Sequence, residues 1–245
     1  MRVWASTVER YYGVAFRSVL KVVNTVKKRV YKNECKVHQF INNQSLRIIY
    51  ESGHYREYEL LEYYKKDLNK GVVWADQDFK SIGHFYNPIK ERGLYGHYNA
   101  LYLAEKYYNL ALDNWNNGLF ENAIFNLGAC VHLIQDVTIP QHVNIRLLDK
   151  HRKFESYVKK IYKRVKEYKS HEEIIYKNNV KEYICYNAYN AIHLYNSYNK
   201  IENDKDRFRR ISLEALPLAQ QSTAGCMLMF LKDVCFIDNT VENTM

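Results

Sequence analysis

The amino-acid sequence predicts an all-α fold, a single-domain multi-helix bundle. Three observations carry this expectation. Apolar residues recur near a 3.6-residue period along most of the 245 residues, with no run of strands between them. Helix-breaking residues are scarce, at 9 glycines and 3 prolines. No Ser/Gly-rich linker divides the chain, and a hydrophobic fraction of 47% argues against disorder.

The elements follow in order. In Thr7–Val30, Val8, Tyr12, Val19, Val22, Val23 and Val26 share one face and the other face is basic. This segment is expected to pack on the core or to lie on a lipid surface as an amphipathic helix. Residues 1–33 thus read as a basic N-terminal extension ahead of a core at 34–236. "HQFINNQSLRIIYES" (His38–Ser52) is the next helix, with Phe40, Ile41, Leu46, Ile48 and Ile49 apolar and Gly53 ending it. Tyr55–Gly71 repeats the format and again closes on glycine. Gly71–Pro88 lacks a sustained helical period and reads as a long loop. Gly96–Gly118 and Leu119–Val137 are long helices, the second closed by Pro140. Lys150–Tyr168 is a basic amphipathic helix, and Tyr176–Tyr198 follows it. Ile211–Val234 is expected to be a buried C-terminal helix, with Pro217 and Gly225 bending it or marking its start.

The net charge is +9, which suits nucleic acid or anionic lipid headgroups as partners. The 23 tyrosines suit a broad polar-aromatic surface. The five cysteines, Cys35, Cys130, Cys185, Cys226 and Cys235, are widely spaced and form no CxxC. That indicates neither a zinc knuckle nor a disulfide framework and favours a reducing compartment. Cys130, Cys226 and Cys235 sit among apolar residues and read as small core residues. No stretch approaches the roughly 20 apolar residues of a membrane span. Glu9 and Arg10 interrupt any signal-peptide core. The expected location is therefore cytoplasmic or peripheral to a membrane, with secretion by another route left open.

The chemistry concentrates in "HLIQDVTIPQH" (His132–His142). On a helix, residues four apart lie on one face, so His132 and Asp136 project together. Pro140 and His142 follow on the turn, and "HRKFE" then supplies His151 and Glu155 at the same spacing. One such pair alone is usually a surface hydrogen bond. Two pairs within 24 residues, joined by a Pro-Gln-His turn, point to a metal site, because His and carboxylate are the N/O ligands zinc accepts. Upstream, "WADQDFKSIGHFYNP" adds Asp76, Asp78 and His84 among aromatics.

Together these stretches resemble the bacterial zinc-dependent phospholipases C. That family's pattern is a helix reading H-x-x-x-D, then P-x-H, then H-x-x-x-E. "GVVWAD" and "HFYNP" resemble its first aspartate and loop histidine, "VHQFINNQSLRII" its early helix with one more histidine, and "AQQSTAGCMLMFL" its final helix. The resemblance implies an all-helical fold with two or three zinc ions. It implies that Asp76, His84, His132 and Asp136 hold the first ion, and His142, His151 and Glu155 the second. His38 and a shared Asp136 would hold the third. Asp76 would also orient or deprotonate the attacking water, and phospholipid at a membrane surface would be the substrate. The family completes its third site with an N-terminal tryptophan; the corresponding place here is Thr25, and Glu34 and Glu9 are internal candidates for its role. Gln77 and Ser81 stand where choline-preferring members carry aromatics, whose faces hold a quaternary ammonium. The extra β-sandwich of some toxic members is not expected here, and the basic N-terminal helix is the expected lipid grip. The same fold serves the single-strand-specific zinc nucleases, which share "WAD" but read H-x-x-x-D in the last motif. A zinc-stabilised membrane-surface binding protein without catalysis is the third reading.

Overall fold

The computed structural model describes residues 35–94, 98–144, 150–171 and 173–234. The basic segment Thr7–Val30, with Glu9, Thr25 and Glu34, lies outside the described residues, as does Cys235. Nine α-helices are described: α1 (Lys36–Glu51), α2 (Tyr55–Tyr63), α3 (Lys65–Ala75), α4 (Ala100–Asn116), α5 (Phe120–Asp136), α6 (Pro140–Val143), α7 (His151–Ile161), α8 (Val180–Tyr198) and α9 (Asp204–Asp233). Short 3-10 turns cover Asp78–His84 and Lys166–Tyr168. An isolated antiparallel bridge pairs Asn87 with Arg92, and no strand is formed among the described residues. The expected all-α bundle is what forms.

Local chemistry sets the helix ends. Asn99, Asn179 and Asn203 accept hydrogen bonds from the first-turn N–H groups of α4, α8 and α9. Gly53 (φ 85°) follows the end of α1 and Gly118 (φ 73°) that of α4, the left-handed conformation that glycine adopts without strain.

Five expectations need correction. The helix expected over Lys150–Tyr168 ends at Ile161, and a separate 3-10 turn covers Lys166–Tyr168. Tyr55–Gly71 is not one helix: the chain breaks at Tyr64 into α2 and α3. Gly71 does not close α3, and the expected loop Gly71–Pro88 is in fact the last turn of α3 followed by a 3-10 turn. The physical reason is a helix crossing. A Cβ on Gly71 would overlap the Phe125 carbonyl, and one on Gly128 the Leu68 carbonyl, so these two glycines let α3 and α5 touch backbone to backbone. Pro140 does not close α5, which ends at Asp136; it occupies the first turn of α6, where its missing N–H costs nothing. Finally, neither Pro217 nor Gly225 marks the start of α9, which begins on the Asn203 cap; at Gly225 the Ile175 carbonyl crosses the helix.

Helix α5 is the centre of the molecule. It packs along α3 and α4 and also meets α8 and α9. From Leu127 to Asp136 every residue is buried. Leu127, Leu133 and Ile134 anchor it in the larger core with Leu68, Val72, Ala104, Ile184 and Phe230. Each such buried aliphatic contributes about 1.5–3 kcal/mol. A second core joins Phe40 and Ile41 of α1 to Phe154 and Val158 of α7 and Phe208 and Ile211 of α9. The site residues sit where these elements meet. No helix among the described residues is long and apolar enough to cross a membrane.

Candidate metal centre

Most of the predicted site residues sit at or near element ends. His38 is in the first turn of α1, and Asp76 caps the C-terminus of α3. His84 ends the first 3-10 turn. His132 and Asp136 share the last turn of α5, His142 lies in α6, and His151 opens α7 with Glu155 one turn on. The fold brings all of them into one connected cluster.

Asp136 is its hub. Its Oδ2 lies 2.7 Å from His84 Nδ1, 3.2 Å from His132 Nε2 and 3.9 Å from His142 Nδ1, and its Oδ1 is 3.4 Å from His38 Nε2. His132 Nε2 is 3.3 Å from His84 Nδ1. In the neighbouring triad, His151 Nε2 stands 3.0 Å from His142 Nε2 and 3.1 Å from Glu155 Oε1. Asp76 joins His84 and His132 in a third convergent group, and its Oδ2 accepts the Cys35 thiol at 3.2 Å. His84 and His132 are almost wholly buried, whereas the Glu155 side chain is 57% exposed, so the cluster has a closed floor and an open rim.

Electrostatics follows from that burial. Burial alone would raise the Asp136 carboxyl, but its electrostatic contacts with His142 and His132 and its hydrogen bonds with His132 and His84 outweigh it and hold the group well below the usual carboxylate range. Burial and the Asp136 charge push Asp76 up. Burial lowers His38 and His132, and takes His142 down to about 4, against the pull of Asp136. His151 is raised despite burial, because Glu155 bonds it. Glu155 is lowered by the same bond, which outweighs its own burial. Burial thus favours the neutral imidazole at His38, His132 and His142, the form that metals take.

Second partners fix which nitrogen each ring presents. His84 Nε2 donates to the Ala75 carbonyl at 3.1 Å, which leaves Nδ1 facing Asp136. His142 Nδ1 donates to the His84 carbonyl at 3.1 Å, which leaves Nε2 facing His151. Phe85 stacks on the His142 ring at 4.9 Å. His132 Nδ1 is buried with no hydrogen-bond partner. Donor atoms sharing a tetrahedral zinc at 2.0–2.1 Å stand roughly 3.4 Å apart. The His84–His132, His132–Asp136 and His151–Glu155 spacings are close to that edge, and His142 and His151 aim nitrogen at nitrogen. The residues therefore fit zinc in donor type and in spacing.

Two residues that touch the cluster escaped sequence reasoning. Cys35 lies one turn before His38, but its wide spacing from the other cysteines carries no metal signature. Gln135 stands inside the quoted motif beside Asp136, and its Oε1 meets His38 Nδ1 at 2.8 Å. The side chain of Asp78 lies outside the described residues.

A family model described as zinc dependent phospholipase C matches residues 37–205. Phospholipase C of Clostridium haemolyticum is 28% identical over 216 residues, covering 76% of this chain and 54% of that protein. Phospholipase C of Listeria monocytogenes is 31% identical over 91 residues, 34% of this chain and 32% of that one. The chain thus spans about half the length, or less, of these curated relatives. Among solved structures, the alpha-toxin of Clostridium absonum superposes with a TM-score of 0.69 at 23% identity, over 81% of this chain and 64% of that one. The alpha-toxin of an avian Clostridium perfringens strain gives 0.70 at 23%, over 85% and 66%. These structures share the fold. With the family match extending over more than half of its length, the chain belongs to the zinc-dependent phospholipase C family.

Proposed function

We propose that the chain is a zinc-dependent phosphodiesterase that hydrolyses phospholipid to diacylglycerol and a phosphorylated headgroup. The observation that supports this reading most strongly is the convergence of three His/carboxylate donor groups, two of them sharing His132, with Asp136 facing four histidines. Asp76, His84, His132 and Asp136 would hold one zinc, and His142, His151 and Glu155 a second. His38 with Asp136 Oδ1 offers a place for a third. When bound, the ions neutralise the oxygens of a phosphodiester and acidify an attacking water.

The chain's own residues do the rest. Asp76, grouped with His84 and His132 at the floor of the cluster, is placed to orient the attacking water and accept its proton. The Cys35 thiol, donating to Oδ2, holds that carboxylate in place. The water oxygen bonds to phosphorus, the bond from phosphorus to the glycerol oxygen breaks, and that oxygen leaves with a proton from solvent. The buried floor keeps the histidines fixed, and the open rim at Glu155 and His38 admits the substrate from a lipid surface. Relatives named phospholipase C add support.

The test is release of phosphorylated headgroup from a panel of phospholipids by zinc-loaded protein. Turnover that stops with chelator and falls roughly 10²–10⁴-fold in Asp76→Asn is the expected result. A panel left untouched by wild type overturns the reading. Chelator-sensitive degradation of single-stranded DNA in its place would put the nuclease reading first.

A further inference from the structure

Gln135 is buried beside Asp136 in α5 and is not among the proposed zinc donors. Its amide has three partners. Nε2 donates to Asn42 Oδ1 at 2.8 Å and to Thr223 Oγ1 at 3.2 Å, while Oε1 lies 2.8 Å from His38 Nδ1. Asn42 Nδ2 donates onward to Asn69 Oδ1 at 2.9 Å. The amides run in one direction. With the Gln135 donors directed at two oxygens, His38 meets an acceptor, so its Nδ1 carries the proton. A neutral imidazole has one N–H, so Nε2 presents its lone pair on the side of Asp136 Oδ1, 3.4 Å away.

The other rings show how unusual this is. The protonated nitrogens of His84 and His142 donate to backbone carbonyls, which no substitution removes. At His38 the acceptor is a side chain. His38 is also more exposed, at 22% of its side chain against 1–2% for His132 and His84, so it gains more from being held.

We propose that Gln135 is a positioning residue: it sets the tautomer and ring orientation of His38, and thereby governs the zinc place that His38 shares with Asp136. Partners of this kind behind a metal-binding histidine typically change metal affinity 10–100-fold. The proposal rests on the reading that the cluster holds zinc.

The experiment measures zinc per chain, and the affinity of the weakest ion by competition with a chromophoric chelator. It compares wild type, Gln135→Leu, Gln135→Glu, His38→Ala and the His38→Ala/Gln135→Leu double variant, with circular dichroism to confirm folding. Gln135→Leu is expected to weaken one ion by roughly 10–100-fold and to leave the others bound. Gln135→Glu keeps an acceptor opposite Nδ1 and is expected to restore most of that affinity. The double variant should bind as His38→Ala alone does, because the two residues act as one unit. Equal affinities in wild type and folded Gln135→Leu would overturn the proposal, as would losses that add in the double variant. Should the leucine variant not fold, nitrogen NMR of histidine-labelled, zinc-loaded wild type decides: a proton on His38 Nδ1 supports the proposal, and one on Nε2 overturns it. Wild type that binds no zinc overturns the zinc reading together with this one, whereas zinc binding indifferent to Gln135 overturns this one alone.

Discussion

Asp136 concentrates the chemistry of the site, since its Oδ2 faces three histidines and its Oδ1 a fourth. Asp136→Asn keeps the size and removes the charge that those rings share. Elemental mass spectrometry should show at least one zinc fewer per chain in this variant, with hydrolysis lost alongside. The thiols give a second residue-scale prediction. Burial, with the Asp76 charge, pushes Cys35 up, and burial does the same for Cys130. A thiol held protonated and away from solvent is a poor nucleophile. Among the described cysteines, the partly exposed Cys185 should therefore label first in the native protein, and Cys35, Cys130 and Cys226 only on unfolding. Peptide mapping after alkylation checks the order. At this scale the sequence was informative where chemistry has a local period. His132 with Asp136 and His151 with Glu155 are legible because residues four apart share a helix face. Gln135 was not legible: an amide carries no ligand signature, and its partners Asn42 and Thr223 lie 93 and 88 residues away along the chain.

Elements position these residues, and α5 does most of it. Its limits, Phe120–Asp136, fall within one residue of those read from periodicity, because an unbroken apolar stripe ends at a turn. Gly71 is ambiguous in the sequence because glycine gives the same signal at a helix stop as at a close helix crossing; the facing Gly128 in α5 distinguishes the two. The distinction predicts different mutants. Gly71→Ala forces α3 away from the Phe125 carbonyl and should cost about 1–3 kcal/mol in urea unfolding. It should also weaken zinc binding, since α3 carries Asp76 and α5 carries His132 and Asp136. Gly53→Ala meets nothing within 4 Å and suffers only from φ 85°. That should cost about 1–2 kcal/mol and leave zinc affinity unchanged. Equal effects on zinc affinity would contradict the assignment of Gly71 to the crossing.

In the whole molecule, two apolar cores hold the helices, and the donor cluster lies between elements that belong to both. His38 comes from a helix shared by the two cores, His132 from the larger one, and His151 from a helix of the smaller. Zinc bound only by the native arrangement therefore ties the cores together. Free zinc at about a thousand times its Kd should raise unfolding stability by about 4 kcal/mol, and chelator should remove that gain without abolishing the helical fold. The fold class was legible from composition and period alone, because 9 glycines and 3 prolines leave long helices as the natural outcome. How the two cores face each other was not, since Phe40 and Phe208 meet in one core from opposite ends of the described chain. The most direct test of the central claim is the zinc content per chain, measured by elemental mass spectrometry on protein dialysed without chelator. The account predicts two or three ions, with at least one lost in His132→Ala. A value near zero, or zinc bound equally by His132→Ala, would contradict it.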